Sequence, residues 1–373
     1  MRIGTNFWDI SWGGPKNQPF KSPWNQFLAE ENPWNPVFLR EIEIYTCFRF
    51  MDWAKTNSPE RSWEKGKNWH KSWETRTQQN DSVQNPVAYE WMIDLCNRTG
   101  KDMWVTVPHV ADDGYVTNLA KLIHNTLDPK LKCWVEWSNE TWNGSFTQSR
   151  YVNEKARELP ESILSRYKWR DNTWYAGQLY HGIRTLRIHK LFLDAFEGKR
   201  ARLVFVMGGS MGHAFYRDSH CWAVNDKECN PHGIMPDAYA LAPYIGHHLT
   251  PGSPDLFDRF IDEVIPEKTE RIKRIAEEVT NLTRMKMVTY EGGQHLKHTI
   301  PQAKIDQHNP RMYDVYRAML KAYAPYFTHF NHYVHMGGSW GAKESLGDRD
   351  SISPKYRALK EWSQKNGSLP SGR

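Results

Sequence analysis

Two glutamates carry the strongest chemical signal in this chain of 373 residues. The run Val135-Glu136-Trp137-Ser138-Asn139-Glu140 closes one apolar, strand-like stretch, and Tyr290-Glu291-Gly292-Gly293 closes another. Paired carboxylates of this kind are what glycosidic-bond cleavage requires. One gives a proton to the leaving oxygen, and the other attacks the anomeric carbon or orders a water. Each glutamate alone has a plainer reading: Glu140 as the cap of a following helix, Glu291 as part of a surface turn. Their joint occurrence at strand ends, with asparagine directly before the first, favours the chemical reading.

The elements that would position them alternate along the chain. Short runs rich in Val, Ile, Phe and Trp read as strands at 2–10, 46–53, 102–110, 132–139, 202–209, 239–246, 285–292 and 327–337. Amphipathic segments lie between them. The stretch 85–100 ends on a glycine stop, as does 174–198. The stretch 255–282 carries Pro266, which should kink or split it, and 310–324 opens on a proline at a first-turn position. Eight strand-then-helix units predict a parallel sheet closed into a (β/α)8 TIM barrel. That barrel should span residues 1–365 as a single domain, with a polar C-terminal tail over 366–373. An open doubly wound sheet would want a glycine-rich phosphate loop after the first strand, and NFWDISWGG is not one.

The loops after the first two strands are long and aromatic, with Trp8, Trp12, Trp24 and Trp34 after one and Trp53, Trp63, Trp69 and Trp73 after the other. In a barrel such loops converge on the C-terminal face, where active sites lie. Some of these rings must pack the loops down; two or three, Trp8 among them, are expected to meet ligand. Glu136 shares strand parity with Glu140 and should point into the barrel below it, where Arg49 is the expected partner of an internal ion pair.

The arrangement resembles clan A of the retaining glycoside hydrolases, in which Asn-Glu closes the fourth barrel strand and a second Glu the seventh. The resemblance covers residues 2–365 at the level of architecture, while its motif support is confined to short segments such as WSNETWN and YEGGQHL. It implies Glu140 as acid/base, Glu291 as nucleophile and Asn139 as partner of the sugar 2-hydroxyl. It further implies Arg49 on the second strand near the nucleophile and Tyr244 on the sixth strand bonded to it. Trp340, after the eighth strand, would lie under the cleaved sugar. His109 and Asp112, on and just after the third strand, could meet sugar hydroxyls, although His109 reads equally well as a structural histidine.

Composition narrows the partners. The net charge of +6 is spread without a basic block, so no nucleic-acid partner is expected, though loose association with acidic polymers is permitted. Eighteen Trp, 17 Tyr and 15 Phe make 13% of the chain aromatic, more than a core needs. Such faces suit sugar rings, which are part wet and part dry. No run of 18 apolar residues exists, so no membrane-spanning helix is expected.

Sixteen histidines invite a metal hypothesis. Yet His329, His332 and His335 on one strand would face alternate sides, and HExxH is absent, so neither a catalytic metal nor any other cofactor is expected. Cys47, Cys96 and Cys133 read as buried thiols, while Cys221 and Cys229 could bridge. The N-terminus begins directly in a strand, which suggests a secreted or periplasmic domain whose signal is missing from this sequence. The expected function is a retaining β-glycosidase acting on a polysaccharide or oligosaccharide, in endo fashion. The alternatives are a non-catalytic carbohydrate-binding barrel and a metal-dependent barrel hydrolase. The sequence leaves the sugar, the linkage and the oligomeric state open.

Overall fold

The computed structural model describes residues 1–7, 33–59, 72–81, 83–212, 214–297 and 299–366. Eight parallel strands close into a barrel in chain order. They are β1 (Arg2–Asn6), β2 (Cys47–Arg49), β3 (Asp102–Val107), β4 (Cys133–Trp137), β5 (Leu203–Gly208), β6 (Ala238–Leu241), β7 (Lys286–Thr289) and β8 (Phe327–His332). Helices intervene, so the (β/α)8 architecture read from the sequence is the one observed.

Every strand is shorter than its apolar run, and several stops have a local cause. β3 ends before Pro108 and β6 just before Ala242-Pro243, where proline has no N–H to extend a ladder. β4 ends at Trp137, before Ser138, whose φ of 61° turns the backbone out of the sheet. The run 327–337 is not one strand. It breaks after β8, and Val334–Met336 pairs in parallel with Gly341–Lys343 as a separate two-stranded sheet.

Pro266 splits its segment as expected, through a specific device. Leu256–Arg259 passes into a π-helical turn over Phe260–Val264, and Ile265 N donates to Phe260 O, five residues back. Pro266, which cannot donate, then falls in the first turn of Ile265–Leu282, where no donor is needed. The helix Thr173–Ala195 starts where the Asn172 side chain accepts from Trp174 N and Tyr175 N. Tyr89–Thr99 ends at Gly100 with φ 65°. Among the described residues no helix is long and apolar enough to cross a membrane.

The chain falls into two compact units, one of Met1–Arg49, Ala242–Ala276 and Val288–Arg373, the other of Phe50–Leu241 and Glu277–Met287. In the first, β1 lies between β2 and β8, with Thr5 opposite Phe48 and His332. Gly4 makes this possible, because a Cβ there would sit 2.0 Å from Asn331 Oδ1 and 2.4 Å from the His329 ring. A buried charge cluster braces the unit: Lys343 Nζ lies 2.8 Å from Glu41 Oε1, and His335 Nε2 lies 3.4 Å from Glu41 Oε2. His332 bonds Tyr316 Oη at 2.9 Å and His329 bonds Asn331 Oδ1 at 3.0 Å. The three histidines of this stretch therefore have separate structural partners.

In the second unit β3, β4, β5 and β6 run side by side, with Thr106 opposite Glu136 and Glu136 opposite Val206. Its core holds Trp104, Trp137, Phe205 and Tyr239, all buried. Glu136 is buried among them, and its Oε2 accepts from the Trp104 indole N–H at 2.8 Å. All five cysteines are buried and unbridged, Cys221 and Cys229 included. Burial pushes the Cys221 thiol up to about 12.

Candidate active site

Glu291 lies two residues past the end of β7 and is 5% exposed. Both of its carboxylate oxygens are held. Arg49 Nη1 donates to Oε1 at 3.1 Å, and the Tyr244 hydroxyl donates to Oε2 at 2.9 Å. Arg49 is the last residue of β2 and is wholly buried. Its Nη1 also donates to Asn6 Oδ1 at 3.3 Å, and its guanidinium lies 5.1 Å from the centre of the Tyr290 ring. Asn6 in turn donates to Tyr290 O at 3.1 Å, which ties the end of β1 to the chain around Glu291.

The resemblance puts Tyr244 on the sixth strand. It lies instead in the loop three residues beyond β6, past Pro243, with its N–H bonded to Ala242 O at 3.0 Å. The proline ends the ladder, yet the loop still carries the hydroxyl to the carboxylate. Trp340 is partly exposed, at the end of the 3₁₀ turn Gly338–Trp340. Its ring lies 5.6 Å from Tyr244, 5.7 Å from Tyr333 and 4.4 Å from His295. Ser339 O, beside it, accepts from the side chains of Gln294 and Lys355. Lys355 is buried, and burial pushes its ammonium down to about 7.

In the other unit, the chain leaving β4 runs through two strained residues. Ser138 has φ 61° and Glu140 φ 42°, conformations that residues with a Cβ seldom adopt and that cluster at functional sites. Asn139, between them, is 3% exposed, and its Nδ2 donates to Asn57 Oδ1 at 3.0 Å. Gln148 clamps the same turn, donating to Asn139 O at 2.7 Å and to Asn57 Oδ1 at 2.8 Å. Glu140 is partly exposed, and its Oε2 accepts from Asn143 Nδ2 at 2.9 Å. The next residue, Thr141, bonds His181 Nδ1 through its hydroxyl at 3.0 Å. Burial holds His181 at a pKa of about 3, so the ring is neutral.

His109 is buried, 4.8 Å from the Tyr151 ring. Asp112 is exposed and caps the helix Asp113–Thr126, accepting from Tyr115 N at 2.7 Å. Trp8 lies outside the described residues, as do Trp12, Trp24, Trp63 and Trp69. Of the remaining loop tryptophans, Trp34 and Trp53 are buried, and Trp73 lies under the Arg76 guanidinium at 4.1 Å. Those three pack the loops. Among the described residues, no group of three or more His, Cys, Asp or Glu is placed to hold a metal ion.

Sequence reasoning missed Asn57, Gln148, Asn143, Gln294, His295 and Lys355. Asn143 had a signal, lying three residues after Glu140 in WSNETWN. Asn57 and Gln148 had none, because each reaches Asn139 only through the folded chain.

No family model matches the chain, and no curated protein matches its sequence. Solved structures do match its fold. An α-L-arabinofuranosidase from Thermotoga maritima is 12% identical with a TM-score of 0.58, the match covering 96% of this chain and 69% of that one. AbfB, a family 51 α-L-arabinofuranosidase from Bifidobacterium longum, is 11% identical with a TM-score of 0.56, over 96% and 72%. The virulence factor SghA, solved with its substrate analogue salicin, is 11% identical with a TM-score of 0.50, over 99% and 96%. The barrel expected from the resemblance to clan A glycoside hydrolases is thus one shared with solved glycosidases.

Proposed function

We propose that the protein is a retaining glycoside hydrolase that cleaves β-glycosidic bonds of a polysaccharide or oligosaccharide by double displacement. The observation that carries this reading is Glu291, with one oxygen held by Arg49 and the other by Tyr244 at the end of the seventh barrel strand. Two donors, one of them cationic, stabilise an ionised carboxylate. They also fix its orientation, as a nucleophile requires. Glu291 attacks the anomeric carbon while Glu140 protonates the departing oxygen. Water then hydrolyses the glycosyl-enzyme, with Glu140 as base. Asn143 steers the Glu140 carboxyl, and the Asn57–Gln148 clamp fixes Asn139 for the 2-hydroxyl of the sugar. Endo action is supported by the tryptophan-rich sequences after β1 and β2, which would extend a cleft over several sugars.

A crystal structure tests the pairing. The Glu140 and Glu291 carboxyl groups should stand about 5–5.5 Å apart, against about 6.5–9.5 Å for an inverting pair. A separation beyond about 10 Å would remove both the mechanism and the assignment, since neither class of glycosidase works across such a gap.

Trp340 supplies the floor of the reacting subsite, its ring edge-on to Tyr244. Trp340→Ala should raise KM and lower turnover while leaving thermal stability nearly unchanged. A loss of the roughly 3–5 kcal/mol typical of a deleted core aromatic would show the ring to be core instead.

A further inference from the structure

Beyond Tyr244 the aromatic floor continues into a group of histidines and lysines. The His295 ring lies 5.3 Å from Tyr244 and 6.3 Å from His247, which lies 5.0 Å from His248. His247, His248 and Lys297 are exposed, and His295 and Lys268 are partly so. They come from three places: the loop after β6, the loop after β7, and the helix Ile265–Leu282. The protonation of His247 is depressed first by burial, then by His248, Lys268 and Lys297. Lys268 is itself lowered, by burial and by Arg271, against a weaker opposing pull from Glu267. The charged neighbours that shift His247 are therefore cationic or become so on protonation.

Like charges gathered around one ring repel one another, and the arrangement is relieved when an anion enters. This group is continuous with the floor beside Glu291, since His295 meets the Tyr244 ring and His247 meets His295. We infer that His247, His248, His295, Lys268 and Lys297 form a subsite for the anionic group of a sugar adjacent to the one that reacts, so that the substrate is an acidic polysaccharide. The charge is a uronate carboxylate or a sulfate ester. This rests on the glycosidase reading and narrows it to a substrate class.

His247 adds a positive charge for an anion only when it is protonated. His247 titrates below the ordinary histidine value, so its contribution is present at acidic pH and is lost as pH rises through that lowered range. Lys268 and Lys297 add positive charge beside His247. The preference for charged over neutral substrate should therefore be largest at acidic pH and shrink, without vanishing, toward alkaline pH.

The test compares a β-linked uronate polymer and a sulfated β-galactan with their carboxyl-reduced and desulfated counterparts. Binding is followed by calorimetry and turnover by reducing-end release. One of the two charged polymers should bind about tenfold or more tighter than its neutral counterpart, the order expected of one charge-assisted contact. Which of the two it is identifies carboxylate or sulfate. His247→Ala combined with Lys297→Ala should raise KM on the charged polymer more than on the neutral one, with kcat little changed, and added salt should do the same. Equal binding of charged and neutral polymers, or equal loss on both in the double variant, overturns the inference. Preferential binding of a charged polymer that the double variant loses, without turnover of any polymer, supports the subsite and removes the catalytic reading instead.

Discussion

Glu291→Ala should abolish turnover on every substrate, with a loss of about 10⁴–10⁶-fold, the range seen when a member of a covalent catalytic triad is removed. Glu291 is the carboxylate that Arg49 and Tyr244 hold in place, so its removal takes away the oriented nucleophile. The loss must be separated from unfolding. Arg49 is wholly buried, and breaking a buried pair by deleting one partner costs roughly 3–5 kcal/mol of stability. Glu291→Gln is the cleaner variant. Its amide oxygen can still accept from Arg49 and the side chain keeps its shape, yet it cannot attack carbon. It should lose less stability than the alanine variant, because the hydrogen bond survives although the counter-charge does not, and it should be as inactive. Activity within about tenfold of the parent in a folded Glu291→Gln protein, a loss far smaller than that range, would remove Glu291 as nucleophile.

Glu140→Ala should behave differently from substrate to substrate. On a natural glycoside, whose leaving alkoxide needs a proton, the loss should be about 10²–10⁴-fold, the usual contribution of general acid catalysis. On an aryl glycoside with an acidic phenol the first step needs no proton and should be much less affected. Water then attacks the glycosyl-enzyme without its base, so azide should restore turnover and yield the β-glycosyl azide. The strained backbone at Ser138 and Glu140 adds a structural expectation. Alanine at 140 keeps a Cβ at the same positive φ, so the backbone strain is common to both and any stability change reflects the lost carboxylate and its contact with Asn143. Equal losses on good and poor leaving groups, with no azide product, would assign Glu140 another role.

The sequence carried the strand starts and the order of elements, because apolar runs rich in β-branched and aromatic residues mark strands that are buried on both faces. It did not carry the strand ends. The run through Tyr239–Gly246 stays apolar past Leu241, and only the ladder shows that pairing stops before Pro243. Tyr244 was legible as a residue and as a partner of Glu291, though not as a loop residue. Arg49 and Glu291 were legible because each sits at a strand end fixed by strand order. The clamp on Asn139 was not, since Asn57 is 82 residues away in sequence and Gln148 meets it only after folding. The buried Lys355 that props the Trp340 turn was equally invisible. Nothing in PKYRALKEW distinguishes it from a solvated helix lysine until its Nζ is found 2.9 Å from Ser339 O.

The stereochemistry of the first product tests the central claim most directly. Double displacement through Glu291 inverts the anomeric centre twice, so a β-linked substrate must release the β-anomer before mutarotation. Proton NMR, recorded within the first minutes of hydrolysis, should show the β-anomeric signal rising first and the α-anomer growing in only later, at the rate of spontaneous mutarotation. Initial release of the α-anomer would mean a single displacement by water. Glu291 would then be a base and not a nucleophile, and a covalent glycosyl-enzyme would be contradicted.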